Sequence, residues 1–165
     1  MNHRSYLLEL ASRSEFRPKT FAESGIRIEQ AGAGDPGICR RLWREVGQGF
    51  WTEREDWTSE HWLGHLGEDT VSFWIARKHT EEIGFFELAH DGENTKLEGF
   101  GLLPPWRNRG LGGGLLSAAT LQAFDAGATR IWLHTATDDH PNALPNYQKR
   151  GYRIYREHAL KNPMP

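Results

Sequence analysis

The sequence predicts a mixed α/β domain in which one central, mostly antiparallel sheet carries helices on both faces. Three observations lead there. Short apolar, β-rich runs follow one another at residues 71–77, 83–89 and 96–103, separated only by polar or glycine turns. Stretches with apolar residues at helical spacing lie on either side of them in the chain, so helices are available to cover the sheet. Finally, 165 residues with 38% hydrophobic and 25% charged content suit one continuous core, not two.

Taken in order, residues 1–25 read as an N-terminal arm, with one helical turn around 6–10 and a polar remainder containing Pro18. It could dock on its own domain or on a neighbouring copy. Residues 26–165 then form the single domain. Ile26-Arg27-Ile28-Glu29 alternates like a strand, and Ala31-Gly32-Ala33-Gly34 breaks it. Asp35-Pro36 offers a helix cap followed by proline at the first helical position, opening a helix to about residue 46. Trp57, His61, Trp62, Leu63 and Leu66 suggest a second helix, started by Thr58 or Ser59, and a glycine-rich aromatic loop at 47–52 joins the two. A turn near 79–82 makes a hairpin of the next two strands. After the strand at 96–103, Leu111, Leu115, Ala118, Ala119 and Ala126 share a helical stripe that Gly127 can cap. A strand at 130–134, a helix carrying Tyr147 and a strand at 152–158 complete the order: strand, two helices, three strands, helix, strand, helix, strand.

Net charge is −2, so there is no general attraction to nucleic acid or anionic lipid, and any basic site must be local. No apolar run has the length of a membrane span, and Tyr6-Leu7-Leu8-Glu9-Leu10 is too short and polar for a signal core, which makes the cytoplasm the expected compartment. The single cysteine, Cys39, has no internal disulfide partner and falls on a helix, where a buried thiol is expected.

The most informative stretch is Arg107-Asn108-Arg109-Gly110-Leu111-Gly112, between a proline-ended strand and a helix. Strand, glycine turn and helix N-terminus together focus unpaired N–H groups and the positive dipole end on one point, which favours an anion. Gly110 and Gly112 allow left-handed angles and close approach of phosphate oxygens, while Arg107 and Arg109 offer forked donors. A P-loop is excluded because no Gly-Lys-Ser/Thr occurs. A dinucleotide fingerprint is excluded because position 115 is leucine and Arg130-Ile131 stands where the acidic residue belongs.

Arg107-x-x-Gly110-x-Gly112 resembles the acyl-CoA signature Gln/Arg-x-x-Gly-x-Gly/Ala of the GNAT superfamily of N-acyltransferases. Residues 143–152, Ala-Leu-Pro-Asn-Tyr-Gln-Lys-Arg-Gly-Tyr, resemble the same family's Asn-x-x-Ala-x-x-x-Tyr-x-x-x-Gly-Phe segment. The resemblance implies a GNAT-like sheet and an acetyl-CoA-dependent N-acetyltransferase that moves the acetyl group directly to a primary amine in a ternary complex. Acetyl-CoA would be the cosubstrate and no metal would be needed. The alternative of a different class is an idle acyl-CoA-binding sensor or interaction module. The arm and the last strand could support a homodimer.

Attack of an amine on a thioester needs a base, an oxyanion donor and an acid. Gly99 and Gly101 interrupt their strand, as a bulge or a close approach would require, so free N–H groups near Leu102 could meet pantetheine and the thioester carbonyl. The other reading is that these glycines relieve packing beside Trp74 or Trp132. Tyr147, at the position of the motif tyrosine, is the candidate acid, against the commoner fate of a core tyrosine with a satisfied hydroxyl. Glu98, an acid in an apolar strand, and His134, at the end of the following strand, are the candidate bases. The chain departs from the motif at His140, where asparagine is expected, so Asn142 or His140 would have to make the pantetheine contact. His134, Asp138, Asp139 and His140 read as a cap, not as a metal site. Phe50, Trp51 and Trp57 would form an aromatic acceptor rim, and Glu87 could supply a charge to an amine.

Overall fold

In a computed structural model that describes residues 3–48 and 50–159, seven strands form one sheet. In chain order the elements are β1 (Arg4–Leu10), β2 (Ile26–Ala31), α1 (Pro36–Gly47), α2 (Ser59–Leu66), β3 (Val71–Lys78), β4 (Glu81–Asp91), β5 (Asn94–Leu102), α3 (Gly112–Asp125), β6 (Arg130–Ala136), α4 (Ala143–Lys149) and β7 (Arg153–Ala159). The sheet order is β2-β3-β4-β5-β6-β1-β7, antiparallel everywhere except between β5 and β6. All elements expected from residue 26 onward are present. Gly49, in the expected aromatic loop, lies outside the described residues.

The N-terminal segment differs from expectation. Residues 4–10 form a strand, not a helical turn, and it inserts between β6 and β7. Leu8 and Leu10 alternate into the core with no exposure, and that period of two outweighs the weak helical signal. Residues 11–25 then run across α3 and the turn before β7. The Arg17 N–H donates to Arg150 O at 2.9 Å, the Lys19 N–H donates to Ser117 Oγ at 2.8 Å, and Phe21 lies so close to Gly114 that a Cβ there would meet its Cα at 2.9 Å. The expected arm is thus docked on its own domain.

Local chemistry explains the helix boundaries. Asp35 is the N-cap of α1 and Pro36 opens it, although the Asp35 side chain accepts no capping bond. Thr58 caps α2 through a reciprocal box with His61. α3 ends in a Schellman arrangement: Gly127, at φ +101°, donates to Phe124 O and Ala128 donates to Ala123 O. Pro145 is tolerated in α4 because it sits in the first turn, where an amide has no intrahelical acceptor.

Helices α1 and α2 pack over β3, β4 and β5 through Trp43, Trp62, Phe73 and Phe85, the last two stacked at 4.8 Å. Helix α3 packs on β4 and β5 with a buried row that includes Leu115, Leu116, Ala119 and Ala123. Among the described residues no helix is long and apolar enough to cross a membrane.

Candidate active site

The site begins with a fork in the sheet. β5 pairs with β6 only from Asn94 to Leu97, opposite Arg130 to Leu133. At the next residue the β4–β5 register steps from Leu88↔Leu97 to Glu87↔Gly99, leaving Glu98 as the extra residue of a bulge. Beyond it β5 keeps β4 as its neighbour but loses β6, so alternate peptide groups between Glu98 and Leu102 face the gap without a sheet partner. The gap is a cleft of 620 Å³, lined by Glu98 to Leu102 on one side, His134 and Ala136 on the other, Tyr147 from α4, and the first turn of α3. The two glycines serve helix packing. A Cβ on Gly99 would sit 2.5 Å from the Trp43 ring, and one on Gly101 2.5 Å from Val46 Cγ1. Their nearest neighbours are therefore in α1, with Phe85 of β4 also 3.1 Å from a Cβ on Gly99, and are not Trp74 or Trp132.

The turn into α3 has the expected backbone, with Asn108 at φ +60° and Gly110 at φ +76°. Gly112 is an ordinary first residue of the helix, and its missing side chain matters for space: a Cβ would contact Asn146 Nδ2 at 3.5 Å. The first N–H groups of α3, beginning at Gly112 and Gly113, have no intrahelical acceptor and open on the cleft. Leu111 is fully buried beneath them.

The motif arginines make bonds within the fold that the sequence did not indicate. Arg107 donates through Nε to Leu102 O at 3.2 Å and through Nη2 to Val46 O at 3.1 Å, tying the end of β5 to the end of α1. Arg109 forms a bidentate pair with Glu23 at 3.0 and 2.6 Å and stacks on Trp106, outside the cleft lining. Both are drawn off by carbonyl or carboxylate acceptors that a linear motif cannot reveal. Arg107 still lines the cleft, and Lys19 and Arg150 line it beside Gly113. Arg150 was visible in the sequence as part of the motif segment; Lys19, in the expected arm, gave no signal.

All three catalytic candidates line the one cleft. Glu98 pairs with Lys96 at 3.1 Å on the bulge, and His134 is exposed on β6. Tyr147 is buried, and burial raises its pKa above the usual phenol range, with Asp139 and Tyr152 adding to the effect. The core-tyrosine description fits its neighbour Tyr152, whose hydroxyl bonds Thr120 Oγ1 at 2.8 Å. Asn142 donates to Asn108 Oδ1 at 3.2 Å, joining the start of α4 to the turn before α3, and His140 Nδ1 accepts from the Asn142 N–H. Asp139 caps the turn after β6, accepting from Thr135 Oγ1 and from the Ala136 N–H, and so does not cap α4.

Two of the acceptor candidates, Glu87 and Trp57, need correction. Glu87 is fully buried, and its carboxylate is taken by Arg54 at 2.8 and 2.6 Å and by His65 Nε2 at 2.9 Å. It serves as the counter-ion of Arg54 and offers no surface to an amine. Arg54, itself buried, stacks on Trp43 at 3.8 Å and Trp57 at 4.5 Å. Trp57 therefore belongs to this packing and not to the cleft lining, which does include Phe50 and Trp51. Cys39 lies in the core, where burial, helped by Asp35 and Glu87, pushes its thiol up to about 12, so it is no nucleophile.

A sequence model of the acetyltransferase (GNAT) family matches residues 38–152, well over half the chain. This chain belongs to the GNAT acetyltransferase family. Mycothiol acetyltransferase of Corynebacterium aurimucosum is 35% identical over 81 residues, which is 47% of this chain but only 26% of that protein. Among solved structures, an aminoglycoside acetyltransferase from an uncultured soil metagenomic sample, in complex with trehalose, superposes with a TM-score of 0.65 at 16% identity over 78% of this chain and 88% of its own. A GCN5-related N-acetyltransferase from Sphaerobacter thermophilus reaches a TM-score of 0.75 at 15% identity over 96% of this chain and 50% of its own. At such identities the structural likeness concerns the fold. The GNAT match begins after residue 25, so β1 and the segment that crosses α3 lie outside it.

Proposed function

We propose that this GNAT domain transfers an acetyl group from acetyl-CoA to a primary amine, directly and within a ternary complex. The observation that carries the reading is the fork at Glu98: it gathers Glu98, His134 and Tyr147 along one cleft that ends at the open N-terminus of α3. The residues present suit acyl-CoA. A pyrophosphate matches the N–H groups of the first turn of α3 and the glycines that leave them uncovered. The unpaired edge of β5 offers donors and acceptors to an extended pantetheine, in the manner of an added strand.

Glu98 or His134 takes the proton from the ammonium form of the acceptor, which frees its lone pair. The nitrogen attacks the thioester carbonyl carbon, and backbone N–H groups near Leu102 stabilise the oxyanion. The new C–N bond forms, the C–S bond breaks, and Tyr147 gives its proton to the departing thiolate; the second proton of the attacking nitrogen, released as the amide forms, restores the Tyr147 phenol by way of solvent. Its raised pKa keeps the phenol protonated until that moment. Phe50 and Trp51 rim the acceptor end.

Calorimetry with acetyl-CoA and CoA, followed by a thiol-release assay over a panel of amines, tests the reading. Binding with amine-dependent release is expected. Binding without turnover on any amine would favour the sensor or interaction module, and failure to bind CoA would overturn both.

A further inference from the structure

Two basic side chains converge where α3 begins, Arg150 from an unspecified position of the 143–152 segment and Lys19 from outside both motifs. A Cβ built on Gly113 would lie 2.8 Å from Arg150 Nη1 and 2.8 Å from Lys19 Cδ, so both reach over the first turn of the helix only because residue 113 has no side chain. Both line the cleft. Arg150 Nε and Nη1 are withdrawn from solvent with no hydrogen-bond partner among the described residues. The acids of the crossing segment are engaged elsewhere, Glu15 with Arg153 and Glu23 with Lys78 and Arg109. Two cations beside the positive end of a helix repel one another and it, and donors left unsatisfied are costly. A dense anion between them removes both penalties.

We infer that Lys19 and Arg150 form a two-cation clamp on the phosphates of the acyl-CoA, with the N-terminal segment supplying one jaw. This rests on the acyl-CoA reading above. The segment is held for the purpose: Lys19 N–H bonds Ser117 Oγ on α3, Arg17 N–H bonds the carbonyl of Arg150 itself, and Phe21 seats on Gly114. The backbone thus links the two jaws, and cosubstrate binding is coupled to docking of a segment that lies outside the stretch matched to the family.

The test is calorimetry of the full chain and of Lys19→Met, Arg150→Met and Gly113→Ala against CoA and dephospho-CoA at low and high salt. Lys19→Met and Arg150→Met should each weaken CoA binding about tenfold or more, the scale of one charge-assisted hydrogen bond, and salt should narrow the gap. Gly113→Ala displaces both jaws without removing charge and should weaken binding too, which keeps the test decisive if Arg150→Met fails to fold. A penalty that vanishes with dephospho-CoA assigns the clamp to the 3′-phosphate; one that persists assigns it to the pyrophosphate. Variants that bind CoA within twofold of wild type, while wild type binds, overturn the clamp. Wild type that binds no CoA overturns the acyl-CoA reading itself.

Discussion

Arg54 donates from both Nη atoms to the two carboxylate oxygens of Glu87, at 2.8 and 2.6 Å, inside a cage of tryptophan rings. The pair fastens the loop between α1 and α2 to β4, and that loop carries Phe50 and Trp51 of the cleft lining. Removing one partner leaves a buried charge uncompensated, so Arg54→Met should lose about 3–5 kcal/mol in urea unfolding. Stability near wild type would mean that the loop is held by packing alone.

The same pair sets a pH dependence. Burial alone would raise the Glu87 pKa, but the donors Arg54 and His65 outweigh it and hold the carboxyl below its ordinary value. A folded pKa below the unfolded one contributes stability that is present above about pH 4.3 and is lost as pH falls through the folded value. Glu87→Gln should therefore flatten the acid limb of a stability-versus-pH curve. An unchanged acid limb would contradict this account.

Arg107 gives its Nε and Nη2 donors to carbonyl oxygens, so Arg107→Ala should act chiefly through structure. The expected loss is about 2 kcal/mol or more of stability, with little change in the salt dependence of CoA affinity. A steep change in that salt dependence would return Arg107 to the phosphates.

Gly112→Val should leave Tm near wild type, since Gly112 is helical and its Cβ direction has only Asn146 Nδ2 at 3.5 Å. The branched side chain would still cover the first-turn N–H groups, weakening CoA binding by about tenfold to a hundredfold. Gly110 sits at φ +76°, so Gly110→Val should lower Tm instead, by a strain of about 1–3 kcal/mol. Calorimetry and thermal melts on both variants separate space from strain.

Strong local patterns made most of the fold readable. The Thr58 cap, the turn near His79 and the Gly127 stop each follow from chemistry within a few residues, whereas the β5 glycines answer to Trp43 and Val46 of α1. β1 was hidden because Tyr6 to Leu10 is short, and its partners, β6 and β7, lie more than 120 residues away. The site divided along the same line. The glycine turn and the start of α3 were legible because glycine and helix geometry are local, whereas the partners of Arg107, Arg109 and Glu87 depend on Val46, Glu23 and Arg54, which only folding brings near. Lys19 was invisible for the same reason.

Thiol release from acetyl-CoA, followed over an amine panel with wild type and Tyr147→Phe in parallel, tests the central claim most directly. Amine-dependent release by wild type is expected. So is a fall in kcat of about 10²–10⁴ for the variant, with CoA affinity and Tm preserved, because only the proton is lost. Wild type that releases no thiol with any amine, or a variant that turns over as fast as wild type, would contradict it.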